Sequence, residues 1–156
     1  MRLIGAQLPS DRPGTAFVQL NMRRRDLIDL FELDLATGRL TTAAENAGDV
    51  FAWLRTPDRL LVFTMEEGGD HVLSEWAPGE RRPIARFPGT DVIFGVTPAA
   101  LTPDGNGLWI GSSRGSDRTR LVRVDLATGE QIGVDSHSVF DLDTPRPEAD
   151  RASRPR

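Results

Sequence analysis

A few short stretches of the chain hold residues able to do chemistry. Gly111-Ser112-Ser113-Arg114-Gly115 reads Gly-x-Ser-x-Gly. That pattern lifts a nucleophilic serine onto a sharp strand-to-helix turn, where a neighbouring backbone N–H helps to hold an oxyanion. The two histidines, His71 and His137, are the available bases, and carboxylates are plentiful. Either histidine could complete a triad with Ser113, because triads occur in several chain orders. Asp104-Gly105-Asn106-Gly107 opens like a calcium loop, and Arg23-Arg24-Arg25-Asp26 offers a cluster of cations to an anion.

The elements around each stretch decide between these chemistries and plainer roles. Upstream of Ser113, "GLWIGSS" reads as a strand, as a nucleophile turn requires. Downstream, Ser116 to Thr119 reads as a turn, and "LVRVDL" then sets Val122, Val124 and Leu126 opposite Arg123 and Asp125. This alternation is the period of a strand, not of a helix. Ser113 is therefore expected at a hairpin, where Gly111 and Gly115 serve the turn, and no catalytic residue is expected in the chain. Glu66-Glu67 sits in "TMEEGGD", an exposed hairpin turn. The calcium-loop opening lacks the later acidic ligands, so it reads as a turn, and neither metal nor cofactor is expected. Arg23 to Asp26 is expected as a solvated hairpin tip. Trp53, Trp76 and Trp109 fall at equivalent apolar registers and are expected to pack between repeat units.

A chain of 156 residues can bury one core of useful size. With no cysteine, neither a disulfide nor a thiolate site can form. The net charge of −4 argues against a broad basic face for nucleic acid, although all 19 basic residues are arginines. No apolar run approaches the roughly 18 residues of a membrane helix, so no membrane partner and a cytoplasmic location are expected.

The positioning elements repeat. "LFELDLATGRL" (30–40) and "LVRVDLATGEQ" (121–131) are near copies, with a weaker version at "LSEWAPGERR" (73–82), so that turn glycines fall at Gly38, Gly79 and Gly129. A second marker, Thr-Pro-Asp, stands at 56–58 and 102–104, each time before an apolar strand. The unit is strand, Thr-Pro-Asp turn, strand, variable turn, strand, glycine turn, strand. Four-stranded antiparallel units of about this period indicate an all-β chain, about three blades of an incomplete β-propeller. Blades are expected at about 17–48, 49–88 and 89–143, the first without an obvious opening strand, after an N-terminal extension at 1–16. Residues 144–156, with three prolines and four arginines, are expected to be a disordered tail.

With its "DLATG" turns, its "TPDG" turn and "SSRGSDRTRLVRVDLATGE", the chain resembles, over roughly residues 17–143, the N-terminal propeller of S9 prolyl oligopeptidase-like serine peptidases, the group of acylaminoacyl and dipeptidyl peptidase relatives. The resemblance implies a non-catalytic propeller that gates peptide access to an α/β-hydrolase domain, which nothing in this sequence matches. The partner would then be that hydrolase domain of a parent protein, or a second chain. The other expectation is a free-standing β-repeat interaction module completed by oligomerisation or by a partner.

Overall fold

A computed structural model describes residues 1–89, 97–112 and 119–135. Those residues form twelve strands and no helix. The strands are β1 (Leu3–Gln7), β2 (Thr15–Leu20), β3 (Asp29–Asp34), β4 (Leu40–Ala44), β5 (Val50–Arg55), β6 (Leu60–Met65), β7 (His71–Ala77), β8 (Glu80–Phe87), β9 (Thr97–Leu101), β10 (Gly107–Ser112), β11 (Arg120–Asp125) and β12 (Gln131–Asp135). They make three four-stranded sheets, β1 to β4, β5 to β8 and β9 to β12, each in chain order. The all-β expectation of three four-stranded antiparallel sheets is met, and no sheet closes into a barrel. No helix of the described residues is long and apolar enough to cross a membrane. The expected tail at 144–156 lies outside the described residues.

The chain divides into two compact units, Met1–Glu67 with Val72–Pro83, and Gly68–His71 with Ile84–Arg156. In the first, Phe17, Leu30 and Ala44 of sheet 1 pack with Val50, Trp53 and Val62 of sheet 2. Ala16, Val18, Leu20 and Phe31, on the opposite face of sheet 1, are also buried. Side chains alternate between faces along a strand, so the continuous apolar run of β2 marks a sheet covered on both sides. In the second unit the buried apolar residues include Ala85, Phe87, Leu108, Ile110, Val124 and Leu126.

The repeated sequences fold into repeated hydrogen bonds. The Asp34 carboxylate accepts from the N–H groups of Ala36 (3.0 Å) and Thr37 (2.8 Å), and Gly38, at φ 72°, donates its N–H to the Asp34 carbonyl at 2.8 Å. Asp125 receives the N–H groups of Ala127 and Thr128, each at 2.9 Å, and Gly129, at φ 76°, donates to the Asp125 carbonyl at 2.8 Å. A short acidic side chain and a residue free to take positive φ are what such a turn needs. In the Thr-Pro-Asp turns the threonine is the common fastener. The buried Thr56 hydroxyl accepts from Arg59 N–H at 3.1 Å, and the buried Thr102 hydroxyl accepts from Gly107 N–H at 2.8 Å.

One element departs from the sequence reading. The opening strand that the first unit seemed to lack is β1, inside the segment 1–16 read as an extension. It pairs with β2 from Leu3↔Leu20 to Gln7↔Phe17. Its signal is weak because the strand is an edge: Leu3 and Ile4 are both exposed, and the register shifts between Leu3 and Gly5. No apolar alternation survives such an arrangement.

Candidate functional site

The described residues concentrate their charged chemistry around Phe17 in the first unit. The loop after β1 brings in Asp11 and Arg12, β3 brings Glu32, and β5 ends on Arg55. Arg12 makes a two-pronged pair with Glu32 at 3.0 and 2.7 Å, and Arg55 makes another with Asp11 at 2.9 and 2.8 Å. Both guanidinium carbons stand over the Phe17 ring, 5.5 and 5.2 Å from its centre. A planar guanidinium can fork onto a carboxylate and still lie on an aromatic face, which an ammonium cannot do as well. The Arg55 hydrogen bonds hold the Asp11 carboxyl below the usual carboxylate range. Each cation of the cage is met by a carboxylate, so the cage fastens strands.

Two glutamines continue that fastening. Gln19 accepts from Trp53 N–H at 3.1 Å and donates to the Trp53 carbonyl at 2.9 Å. Gln7 accepts from Arg55 N–H at 2.8 Å and donates to the Arg55 carbonyl at 3.3 Å. Each side-chain amide thus replaces one rung of a strand ladder, satisfying backbone groups on the edge of β5 where no strand pairs. Trp53 donates its indole N–H to the Ile28 carbonyl at 2.8 Å and meets Trp76 edge-on at 5.9 Å. Trp53 and Trp76 pack as the sequence led us to expect, and Trp109 is half-buried on β10.

Arg23, Arg24, Arg25 and Asp26 are exposed between β2 and β3, as expected of a hairpin tip, and Arg23 also ties that tip down. It forks onto Asp29 at 3.1 and 2.9 Å and donates to the Asn46 carbonyl at 2.7 Å. Asp29, only 1% exposed, also accepts Asn46 N–H at 2.7 Å, and Asn46 in turn accepts from Gly48 and Val50. Burial opposes the charge on Asp29, but Arg23 and the Asn46 N–H outweigh it and leave the carboxyl below its ordinary value. This tie is not legible in the local charge pattern, because the Arg23 partner lies six residues away across a turn. Arg24, by contrast, pairs with Asp26 at the surface.

His71 is buried, and burial lowers its pKa against the opposing pull of Asp70. The Asp70 carboxylate accepts from Gly89 N–H at 2.9 Å. Ser113, Arg114, Gly115 and His137 lie outside the described residues, so no triad can be assembled from described atoms. β10 ends at Ser112, which pairs antiparallel with Arg120 of β11, so the next described element is the strand the sequence called for. Glu66 and Glu67 are exposed between β6 and β7. Among the described residues no three His, Cys, Asp or Glu side chains gather as a metal would require.

An open groove of 710 Å³ lies in the first unit. Ala43, Ala44, Ala47, Trp76 and Pro78 give it an apolar floor, and Glu45, Glu80 and Arg81 lie on its rim. Arg81 is held by Asp49 at 2.6 Å. No histidine is among its lining residues.

No family profile matches the chain. Over 125 residues it is 30% identical to a dipeptidyl aminopeptidase BIII of Pseudoxanthomonas mexicana, a match that covers 78% of this chain and 18% of that relative. Among solved structures, a protein of Bacteroides fragilis named as a 6-phosphogluconolactonase superposes with a TM-score of 0.45 and 16% identity, over 89% of this chain and 39% of the other. A superposition at that score carries no argument about fold or function. The chain spans under a fifth of the length of the curated relative it matches, and that match supports a distant link to the S9 peptidases.

Proposed function

We propose that the chain is a non-catalytic part of a β-propeller belonging to a prolyl oligopeptidase-like serine peptidase, and that it screens peptide access to an α/β-hydrolase domain. The observation that carries this reading is the 30% identity over 125 residues with a dipeptidyl aminopeptidase. The three four-stranded sheets and their repeated Asp-to-Gly turns support it, since they are the expected form of blades. The two fastened arginines over Phe17 tie β3, β5 and the loop after β1 together, as a scaffold requires.

The coding DNA that follows codon 156 tests the proposal, read in all three frames. A hydrolase with its own Gly-x-Ser-x-Gly is the expected result. An unrelated gene there would contradict it and would favour the interaction module completed by a partner chain.

A further inference from the structure

Sheet 1 ends on β4, which pairs with β3 and with no other described strand. The direction of its free backbone groups follows from the turn that starts it. Asp34 N–H bonds to the Arg39 carbonyl at 2.9 Å, which makes Asp34↔Arg39 a bonded pair of the hairpin. Bonded and unbonded pairs alternate along antiparallel strands, so Leu33↔Leu40 is unbonded, Glu32↔Thr41 bonded and Phe31↔Thr42 unbonded. Leu40 and Thr42 therefore turn their N–H and C=O groups away from β3. Among the described residues nothing bonds to them there. The register shifts at Ala43, and this bulge ends the free run after Thr42. No charge and no proline stands between Leu40 and Ala44 to guard the edge.

The open groove of the first unit lies along that edge. Thr42 is the direct partner of Phe31 and so shares the face that Phe31 forms with Ala16, Val18 and Leu20, whereas Ala43 and Ala44 pack on the opposite face with Trp53 and Val62. All three line the groove. A cavity that touches residues from both faces of an outermost strand opens on its backbone edge. The rest of the lining includes Trp76 of β7 and the turn residues Pro78 and Gly79 that lead into β8.

The unmatched charge of the groove is negative. Arg81 is matched by Asp49, and the arginines around it are also taken, Arg82 by Glu75 and Arg23 by Asp29. Glu45 and Glu80, both in the lining and exposed, make no ion pair or hydrogen bond among the described residues. Bare carboxylates beside a tryptophan and an alanine floor favour a side chain that joins a cation to an apolar stem.

We propose that the groove takes an extended segment of another polypeptide, which adds to β4 through the backbone of Leu40 and Thr42, rests on Trp76 and presents lysine or arginine to Glu45 and Glu80. Main-chain bonds supply the affinity of such strand addition, and the carboxylates reject an acidic segment. The site lies wholly within the first unit and is independent of any hydrolase domain.

A blocked hexapeptide of alternating valine and arginine is the probe, with two control peptides: the same sequence N-methylated throughout, and one with glutamate in place of arginine. Titrated calorimetrically into the full chain, the probe should bind saturably and each control at least about tenfold more weakly. By NMR, the Leu40 and Thr42 amides should exchange at least about tenfold more slowly with the probe bound, while Thr41, already bonded to Glu32, changes little. Thr42→Pro removes an N–H that β3 does not use, so it should abolish binding and keep the sheet, and Thr42→Ala should bind as the unaltered chain does. Should Thr42→Pro disturb the sheet, Glu80→Lys decides from its exposed position, and the affinity should fall at least about fivefold. A probe that does not saturate, a control that binds as tightly, or Glu80→Lys without effect overturns the proposal. So does slow exchange of Leu40 and Thr42 in the protein alone, which would mean an edge already covered by the chain or, where it grows with concentration, by a second copy.

Discussion

A carboxylate as buried as Asp29 is tolerated only while its charge is met. Arg23, Asn46 and the chain turn from β4 to β5 all converge on it. Removing the acceptor by Asp29→Ala strands Asn46 N–H but lets Arg23, 42% exposed, turn to water, so the expected loss is about 2 kcal/mol and not the larger cost of an orphaned buried charge. The urea midpoint of the variant measures it. The pH dependence follows from the directions of two shifts. Burial lowers the pKa of His71 in the fold, so the unfolded chain binds more protons below about pH 6.5 and stability declines as the pH falls from there. The Asp29 pKa is also lowered, so its contribution is present above about pH 4 and is lost as the pH falls through the folded value. Urea midpoints between pH 8 and pH 3 should fall in two stages. His71→Gln should flatten the upper one, and Asp29→Asn should reduce the lower, to which other hydrogen-bonded carboxylates such as Asp34, Asp70 and Asp125 also contribute.

At the scale of elements, the two near-identical glycine turns predict unequal responses to the same change. A Cβ on Gly38 meets nothing within 4 Å, so Gly38→Ala costs only the strained backbone, about 1 kcal/mol. A Cβ on Gly129 would stand 1.9 Å from the Ile84 carbonyl oxygen, so Gly129→Ala must displace backbone and should cost well over twice as much. Thermal unfolding of the two variants compares them. Gln19→Ala removes both bonds to Trp53 from a partly buried face and should cost about 1–3 kcal/mol in the same assay. The turns were legible in the sequence because Asp, Thr and Gly act on neighbours within five residues. The strands β2 to β8 were legible from apolar runs between those turns. β1 was not, since an exposed edge strand has no apolar face to betray it, and Gln7, Gln19 and Arg23 were not, since their partners are set by tertiary placement. The fastening role of Thr56 and Thr102 was not legible, since a buried hydroxyl leaves no pattern in the sequence.

The chain as a whole presents sheets made for layering. Ala16, Phe17 and Val18 are consecutive and all buried on β2, and Leu61, Val62 and Phe63 are each 0% exposed on β6. A sheet that buries both faces needs a layer on each side, and the described residues supply it for β2 and β6. The Gly-x-Ser-x-Gly pattern suggested a catalytic chain, but strand β11 follows it where a helix would have to stand, and the reading of a non-catalytic portion rests on that strand and on the peptidase similarity. Labelling the native protein in its cells with a fluorophosphonate, enriching it with an antibody to this chain and mapping the labelled serine by mass spectrometry tests that account most directly. We expect the label on a serine of the same polypeptide outside residues 1–156. A label on Ser113 that disappears in Ser113→Ala, or a native protein no longer than this chain that takes no label, would contradict it.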